Sequence, residues 1–168
     1  MPGALDPRRK IMTRAEAARW RASRSGRVVF TNGVFDLLHP GHVDVLIGAR
    51  RHGDALLVGV NSDDSVRRLK GPARPIRNEH DRAFVLAALE AVDAVVLFEE
   101  ATPLELVRAV QPDVIVKGGD YSVEQVVGAR DVLARGGEVV IIPLTPGHST
   151  TATVDTLRGG GGGDHGPA

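Results

Sequence analysis

Two histidines stand three residues apart in the stretch "FTNGVFDLLHPGHVDVLIGARRHGD", Phe30 to Asp54, directly after a run that reads as a buried strand. On the first turn of a helix, that spacing brings the rings of His39 and His42 to one side. A helix N-terminus adds unbonded N–H groups and the positive end of the dipole, so the place suits an anion, and a phosphate above all. Gly41 lets such a phosphate come close to the backbone. The loop is neither the G-x-G-x-x-G dinucleotide fingerprint nor a G-x-x-x-x-G-K-[ST] phosphate loop. Two other readings stay open on spacing alone. One histidine caps the helix while the other is a surface residue, or the pair begins a metal site with Asp36 and Asp120 as further ligands.

Other unusual residues fall in similar places. Lys117 follows a buried strand in "DVIVKGGDY", where an ammonium needs a partner or an anionic ligand. Lys70 lies in "RRLKGPARPI" with Arg67, Arg68, Arg74 and Arg77 around it, which is either an anion clamp or a solvated basic loop. Asn61, Ser62 and Asp63 suit recognition of hydroxyls, and equally a helix cap. Ser149, Thr150 and Thr151 in "GHSTTATV" suit a cap or a phosphate-holding turn.

The elements that must position these residues alternate regularly. Thr13 and Glu16 form a capping box for a helix reaching about Ser23, with Trp20 on its inner face. "RVVFTN" is a strand, and "GHVDVLIGARRHG" a helix with Val43, Leu46, Ile47 and Ala49 as its stripe and Gly53 as its cap. "DALLVGVN" is the second strand, followed by a short helix "SDDSVRRL" and the proline-bounded loop "KGPARPI". The helix "NEHDRAFVLAALEAV" presents Phe84, Val85, Ala88 and Leu89 as its apolar face. Strand "DAVVLF" precedes helix "TPLELVRAVQ", with Thr102 ahead of Pro103 at the first helical position. Strand "DVIVKGG", helix "SVEQVVGARDVLARGG", strand "EVVIIPL" and a closing helix "STTATVDTLR" complete the pattern.

Five short strands rich in Val and Ile, each joined by a helix-length crossover, predict an α/β fold: a Rossmann-like doubly wound five-stranded parallel sheet with helices on both faces. In such sheets ligands bind beyond the carboxyl ends of the strands, which is where every unusual loop above falls. At 168 residues the chain suits one domain. Residues 1–12 are expected to be a flexible N-terminal segment, 13–158 the folded domain and 159–168 a disordered glycine-rich tail, His165 included.

Lys plus Arg number 21, as do Asp plus Glu, so no global field draws the chain to nucleic acid or an anionic membrane. The absence of cysteine excludes disulfides, thiolate metal sites and cysteine nucleophiles. No apolar run is long enough to span a bilayer and the first residues hold no apolar signal core, so a soluble cytoplasmic protein is expected.

The full string "GVFDLLHPGH" resembles the G-x-F-D-x-x-H-x-G-H form of the H-x-G-H signature of the nucleotidyltransferase superfamily. "GHSTTATV" resembles its second signature. Over about residues 27–157 the chain is similar to the bacterial D-glycero-β-D-manno-heptose 1-phosphate adenylyltransferase family. "TNGVFD", "VNSD", "RLKG", "RPI", "LEAVD", "VKGGDY", "GGEVV" and "STT" fall in order. In many bacteria this domain is joined to a sugar kinase. The resemblance here implies a stand-alone enzyme supplied by a separate kinase. The "TAT" that overlaps the end of "STT", residues 151–153, departs from the Ile-rich helix usual in the family.

The resemblance implies transfer of AMP from ATP to heptose 1-phosphate, giving ADP-heptose and pyrophosphate for lipopolysaccharide core or another heptose-containing glycan. A phosphate monoester is largely ionised near neutral pH, its second pKa being about 6, so no general base is needed; positioning and positive charge are. His39, His42 and Lys70 are the implied catalytic residues. Val34, Phe35, Gly41, Lys117, Gly118, Ser149, Thr150 and Thr151 would bind nucleotide and phosphate, and Asn32, Asp36, Asn61, Asp63 and Asp120 would line the substrate pocket. Asp36 is equally read as structural, bonding loop N–H groups. Mg²⁺ would bridge the nucleotide phosphates rather than occupy a protein cage. Homodimerisation is carried over from relatives. A cytidylyltransferase for glycerol 3-phosphate or another alcohol phosphate, and a non-catalytic nucleotide-binding protein, are the alternatives.

Overall fold

The computed structural model describes residues 6–144, 146–147 and 154–156. Five strands, β1 (Val28–Gly33), β2 (Ala55–Asn61), β3 (Ala94–Phe98), β4 (Val114–Gly118) and β5 (Glu138–Ile142), form one sheet. All pairings are parallel and the order is β3-β2-β1-β4-β5. The winding direction reverses between β1 and β4, and that crevice is where a doubly wound sheet binds its ligands.

Helices α1 (Arg14–Ala22), α2 (Pro40–Arg50), α3 (Asp63–Lys70), α4 (Glu79–Ala87), α5 (Leu104–Val110) and α6 (Ala129–Ala134) cover the two faces. The strand period of two sorts the side chains. Val29, Leu56, Val58 and Val60 point to one face and pack with Leu46 and Ala49 of α2 and Ala83, Leu86 and Ala87 of α4. Phe30, Leu57, Val96 and Ile115 point to the other and pack with Ala17 of α1, Leu106, Val107 and Val110 of α5, and Ala129 and Val132 of α6. Trp20 packs against this second cluster, and Thr13 with Glu16 closes the capping box of α1.

Several sequence expectations are corrected by the fold. α4 buries Arg82, Ala83, Leu86 and Ala87, while Phe84 and Val85 face outward, 37% and 46% exposed. Apolar residues line most of that helix, so periodicity alone leaves its rotation undetermined; the buried hydrogen bonds of Arg82 set it. α2 turns Val45 inward in place of Val43 and leaves Ile47 exposed. The helix ends at Arg50 with Arg51 as its C-cap, and Gly53 is required instead by packing, because a Cβ there would lie 2.7 Å from Val29 Cγ2. Pro103 occupies the N-cap of α5 without a side-chain cap bond, so the helix starts one residue later than expected. The long helix expected from Ser122 divides into a 3-10 turn, Val123–Gln125, and α6, because Gly128 has φ of 86° between them.

Within the expected flexible N-terminus, Pro7–Lys10 forms a 3-10 helix capped by Asp6. Lys10 Nζ donates to the carbonyls of Leu89 and Val92, and the Met12 N–H to that of Val95. The closing helix is described only at 154–156; its expected start and the glycine-rich tail lie outside the described residues. Among the described residues no helix is long and apolar enough to cross a membrane.

Candidate active site

β1 delivers Asn32 and Gly33 to the switch point, and the chain then turns through Val34, Phe35 and Asp36 toward α2. His39 is the N-cap of α2 with Pro40 at the first helical position. Its Nδ1 accepts from the His42 N–H at 3.4 Å, and its carbonyl accepts from His42 and Val43. The helix-cap reading is met in part: His39 caps the helix, but His42 is partly buried rather than a surface residue, and the two rings lie to one side and stack, centroids 3.8 Å apart and planes 19° off parallel. The ring of Phe35 meets His42 edge-on at 5.3 Å.

This packing fixes the charge state. Burial, with the nearby charges of His39 and Lys70, pushes the pKa of His42 down from 6.5 to about 4. His42 is thus neutral near pH 7. Among the described residues its buried Nδ1 has no hydrogen-bond partner. An unpaired lone pair there costs less than an unpaired N–H, so the tautomer with the proton on Nε2 is favoured, leaving that N–H as the donor. An approaching anion would raise the pKa again. Lys70, exposed at the C-terminal end of α3, is close enough for its charge to act on His42.

A second group lies across the β1/β4 crevice. Lys117, at the end of β4, reaches back so that Nζ is 3.3 Å from Asn32 Oδ1 and 3.4 Å from the Asn32 carbonyl. It lies 5.8 Å from the centre of the Tyr121 ring. Among the described residues it has no carboxylate partner, and burial lowers its pKa. A partly desolvated cation of this kind is chemically suited to an anionic ligand. Gly118 lets α2 approach: a Cβ there would fall 2.8 Å from Val45 Cγ2. Asp120 is exposed beside this group.

Other expected substrate contacts are engaged within the protein. Asp36, 3% exposed, accepts from Arg74 Nε at 2.6 Å and from the Ile76 and Arg77 N–H groups. Of its two readings, the structural one is what this bonding describes. Burial opposes its ionisation, but these donors outweigh it and hold the carboxyl below its usual range. Asn61 donates to Ser65 Oγ at 3.0 Å. Asp63 pairs with the buried Arg82 at 2.8 Å. Arg67 pairs with Asp64, and Arg68 donates to the Glu99 carbonyl. Ser149, Thr150 and Thr151 lie outside the described residues. Among the described residues no group of three or more His, Cys, Asp or Glu could hold a metal.

Sequence reasoning did not single out Arg82 or Tyr121. Arg82 sits inside an ordinary amphipathic helix pattern, and only the burial of its side chain distinguishes it. Tyr121 is the single tyrosine of the chain, directly after "KGGD", which was the available signal.

The model of the cytidylyltransferase-like family matches residues 30–154. The chain is 60% identical over 160 residues to the bifunctional protein HldE of Acidiphilium cryptum, covering 93% of this chain and 32% of that protein. It is 62% identical over 144 residues to the bifunctional protein HldE of Rhodopseudomonas palustris, covering 85% and 29%. The chain thus spans about a third of the length of these curated relatives. Among solved structures, the lipopolysaccharide core biosynthesis protein of Thermoplasma volcanium superposes with a TM-score of 0.57 at 31% identity, over 72% of this chain and 98% of that one. Pantoate-beta-alanine ligase of Francisella tularensis gives 0.55 at 15% identity, over 81% and 68%, a likeness of fold. With the H-x-G-H turn at the switch point of a parallel sheet and a family match across most of its length, this chain belongs to the cytidylyltransferase-like family and is a nucleotidyltransferase.

Proposed function

We propose that the protein transfers AMP from ATP to D-glycero-β-D-manno-heptose 1-phosphate, releasing pyrophosphate and ADP-heptose. A phosphate oxygen of the sugar 1-phosphate forms a bond to the α-phosphorus while the bond from that phosphorus to the β-phosphate bridging oxygen breaks in line. The electron pair leaves with pyrophosphate, and no covalent enzyme intermediate forms. The acceptor is already ionised, so the chain's part is to position it and to stabilise charge. The observation that carries this reading is the stacked His39 and His42 pair at the N-terminus of α2, with a neutral His42 and a nearby Lys70.

In this reading the Nε2–H of His42 and the ammonium of Lys70 donate to oxygens of the polyphosphate, where negative charge accumulates as the leaving group departs. Lys117 takes a further phosphate oxygen across the crevice, next to Asn32. The nucleotide phosphates would carry Mg²⁺, whose chemistry there would be charge compensation. Relatives about 60% identical and named HldE support a nucleotidyltransferase role in heptose and lipopolysaccharide biosynthesis, as does the T. volcanium protein, whose name refers to lipopolysaccharide core biosynthesis. A homodimer in the cytoplasm completes the proposal.

The test is pyrophosphate release with Mg²⁺, comparing ATP with CTP, each with β-heptose 1-phosphate and with glycerol 3-phosphate. Release confined to ATP with the heptose phosphate is expected. Release confined to CTP would replace the substrate assignment, and no release with any pairing would return the chain to a binding role.

A further inference from the structure

Phe35 has φ of 49°, one of two non-glycine residues with positive φ among those described. For a bulky side chain the left-handed region is strained, of order 1–3 kcal/mol, and persists only where surrounding structure over-determines it. Bonds on both sides of Phe35 do so. Before it, the Val34 carbonyl accepts from Arg82 NH1 at 2.6 Å. After it, Asp36 is held by Arg74 and by the N–H groups of Ile76 and Arg77. The two anchors join each other, because Arg82 Nε also donates to the Arg77 carbonyl at 3.0 Å. Arg82 and Asp36 are each 3% exposed. A buried polar clasp therefore ties the 74–77 segment and α4 to the Val34 carbonyl and the Asp36 side chain on either side of Phe35.

The Phe35 side chain is buried, 8% exposed, and belongs to the apolar cluster on the α2 and α4 face of the sheet. A cavity of about 540 Å³ borders Phe35, lined also by Leu37, Leu38, Phe84 and Val85, so that side of the residue is open. On the other side the ring touches His42 and covers Gly33, where a Cβ would fall 3.0 Å from Phe35 Cε2. The left-handed backbone at Phe35 thus coincides with a ring placed against the histidine.

We propose that Phe35 is a positioning residue for His42, and that the Asp36–Arg82 clasp keeps it so by imposing a left-handed backbone. The clasp sets the backbone, the backbone aims the ring, and the ring confines the imidazole against His39. This inference rests on the reading of His42 as the phosphate donor only for its effect on turnover; the effect on the histidine itself is independent.

Three variants of the full chain separate the parts. Phe35→Asn keeps a residue that tolerates the left-handed region while removing the ring. Gly33→Ala crowds the ring without touching the clasp. Asp36→Asn weakens the clasp and leaves the ring. The ring proton of His42 is titrated by NMR, with His39 and Lys70 as the other charged groups facing it, and pyrophosphate release is measured alongside. In Phe35→Asn and Asp36→Asn the His42 titration is expected to move up from about 4 toward 6.5. Turnover should fall roughly 10- to 100-fold, as misplacing a reacting group does, with the nucleotide KM changed far less. Gly33→Ala should shift the titration less in the same direction, and serves where Phe35→Asn does not fold. An unmoved His42 titration in the folded variants overturns the inference. A shifted titration with unchanged turnover upholds it and removes His42 from the proposed chemistry.

Discussion

Replacing Lys117 by methionine should make the protein more stable and a poorer enzyme. The ammonium is partly buried without a carboxylate partner among the described residues. Its contacts are two long hydrogen bonds to Asn32, at 3.3 and 3.4 Å, and the Tyr121 ring at 5.8 Å. Bonds of that length lie at the weak end of about 0.5–1.5 kcal/mol each, and the ring adds about 0.5–1 kcal/mol. Fully burying a charge costs several kcal/mol, and partial burial a fraction of that. Methionine keeps the stem's volume and removes the charge, so the balance favours the variant by about 1 kcal/mol, or roughly 2–4 °C in Tm for a chain of this size. Binding moves the other way. Losing one charge-assisted hydrogen bond to phosphate costs about 1.5–3 kcal/mol, or about 10- to 150-fold in kcat/KM.

The pH dependence supplies a second check on the same residue. Burial sets the folded pKa of Lys117 below its ordinary 10.5. Between those values the unfolded chain holds the extra proton, so the parent regains stability as pH rises toward 10.5, and its deficit against Lys117→Met should narrow. Urea unfolding at neutral and alkaline pH, beside steady-state pyrophosphate release, measures both halves. A variant that is less stable than the parent and retains its kcat/KM would refute the reasoning, because Lys117 would then be a structural residue.

His42→Ala should lower turnover at least about a hundredfold, consistent with the roughly 3–4 kcal/mol lost when one oxyanion donor is removed, with circular dichroism unchanged; near-normal turnover would exclude His42 from the chemistry. Arg82→Met removes bonds to Asp63, Val34 and Arg77; breaking a buried ion pair costs about 3–5 kcal/mol, and since Asp63 keeps some solvent contact the lower figure is expected, read as the fall in the urea midpoint. Because His42 has its folded pKa near 4 and an ordinary value of 6.5, the unfolded chain takes the proton first as pH drops. Stability should therefore decline through that window, and less so in His42→Ala, by urea midpoints at pH 7 and 5.

The order of elements, the five strands and the loops that carry the polar residues were legible in the sequence, because alternating apolar runs and crossovers leave a parallel sheet as the arrangement that buries them. The place of the histidines was legible for the same reason: a strand, a turn with proline and glycine, and a helix stripe fix where α2 begins. Rotation of α4 was not, since apolar residues line most of it and only the buried bonds of Arg82 decide which side faces the sheet. Nor was the division near Gly128, where a single positive φ interrupts an otherwise helical pattern.

What the sequence determined by itself is the inventory: two histidines at a helix start, a lysine at the end of a buried strand, and a charge balance that leaves anion binding to local geometry. The tertiary structure decided which charges are available to a ligand. Asp36 and Asp63 resemble Asp120 as letters, yet the fold gives Asp36 an arginine and two backbone N–H groups, gives Asp63 the buried Arg82, and leaves Asp120 exposed. The physical reason is that burial without a partner is costly, so a chain satisfies its interior charges by contacts between residues far apart in sequence. Spacing records none of those contacts. They appear only when α4 and the 74–77 segment close over the loop that follows β1.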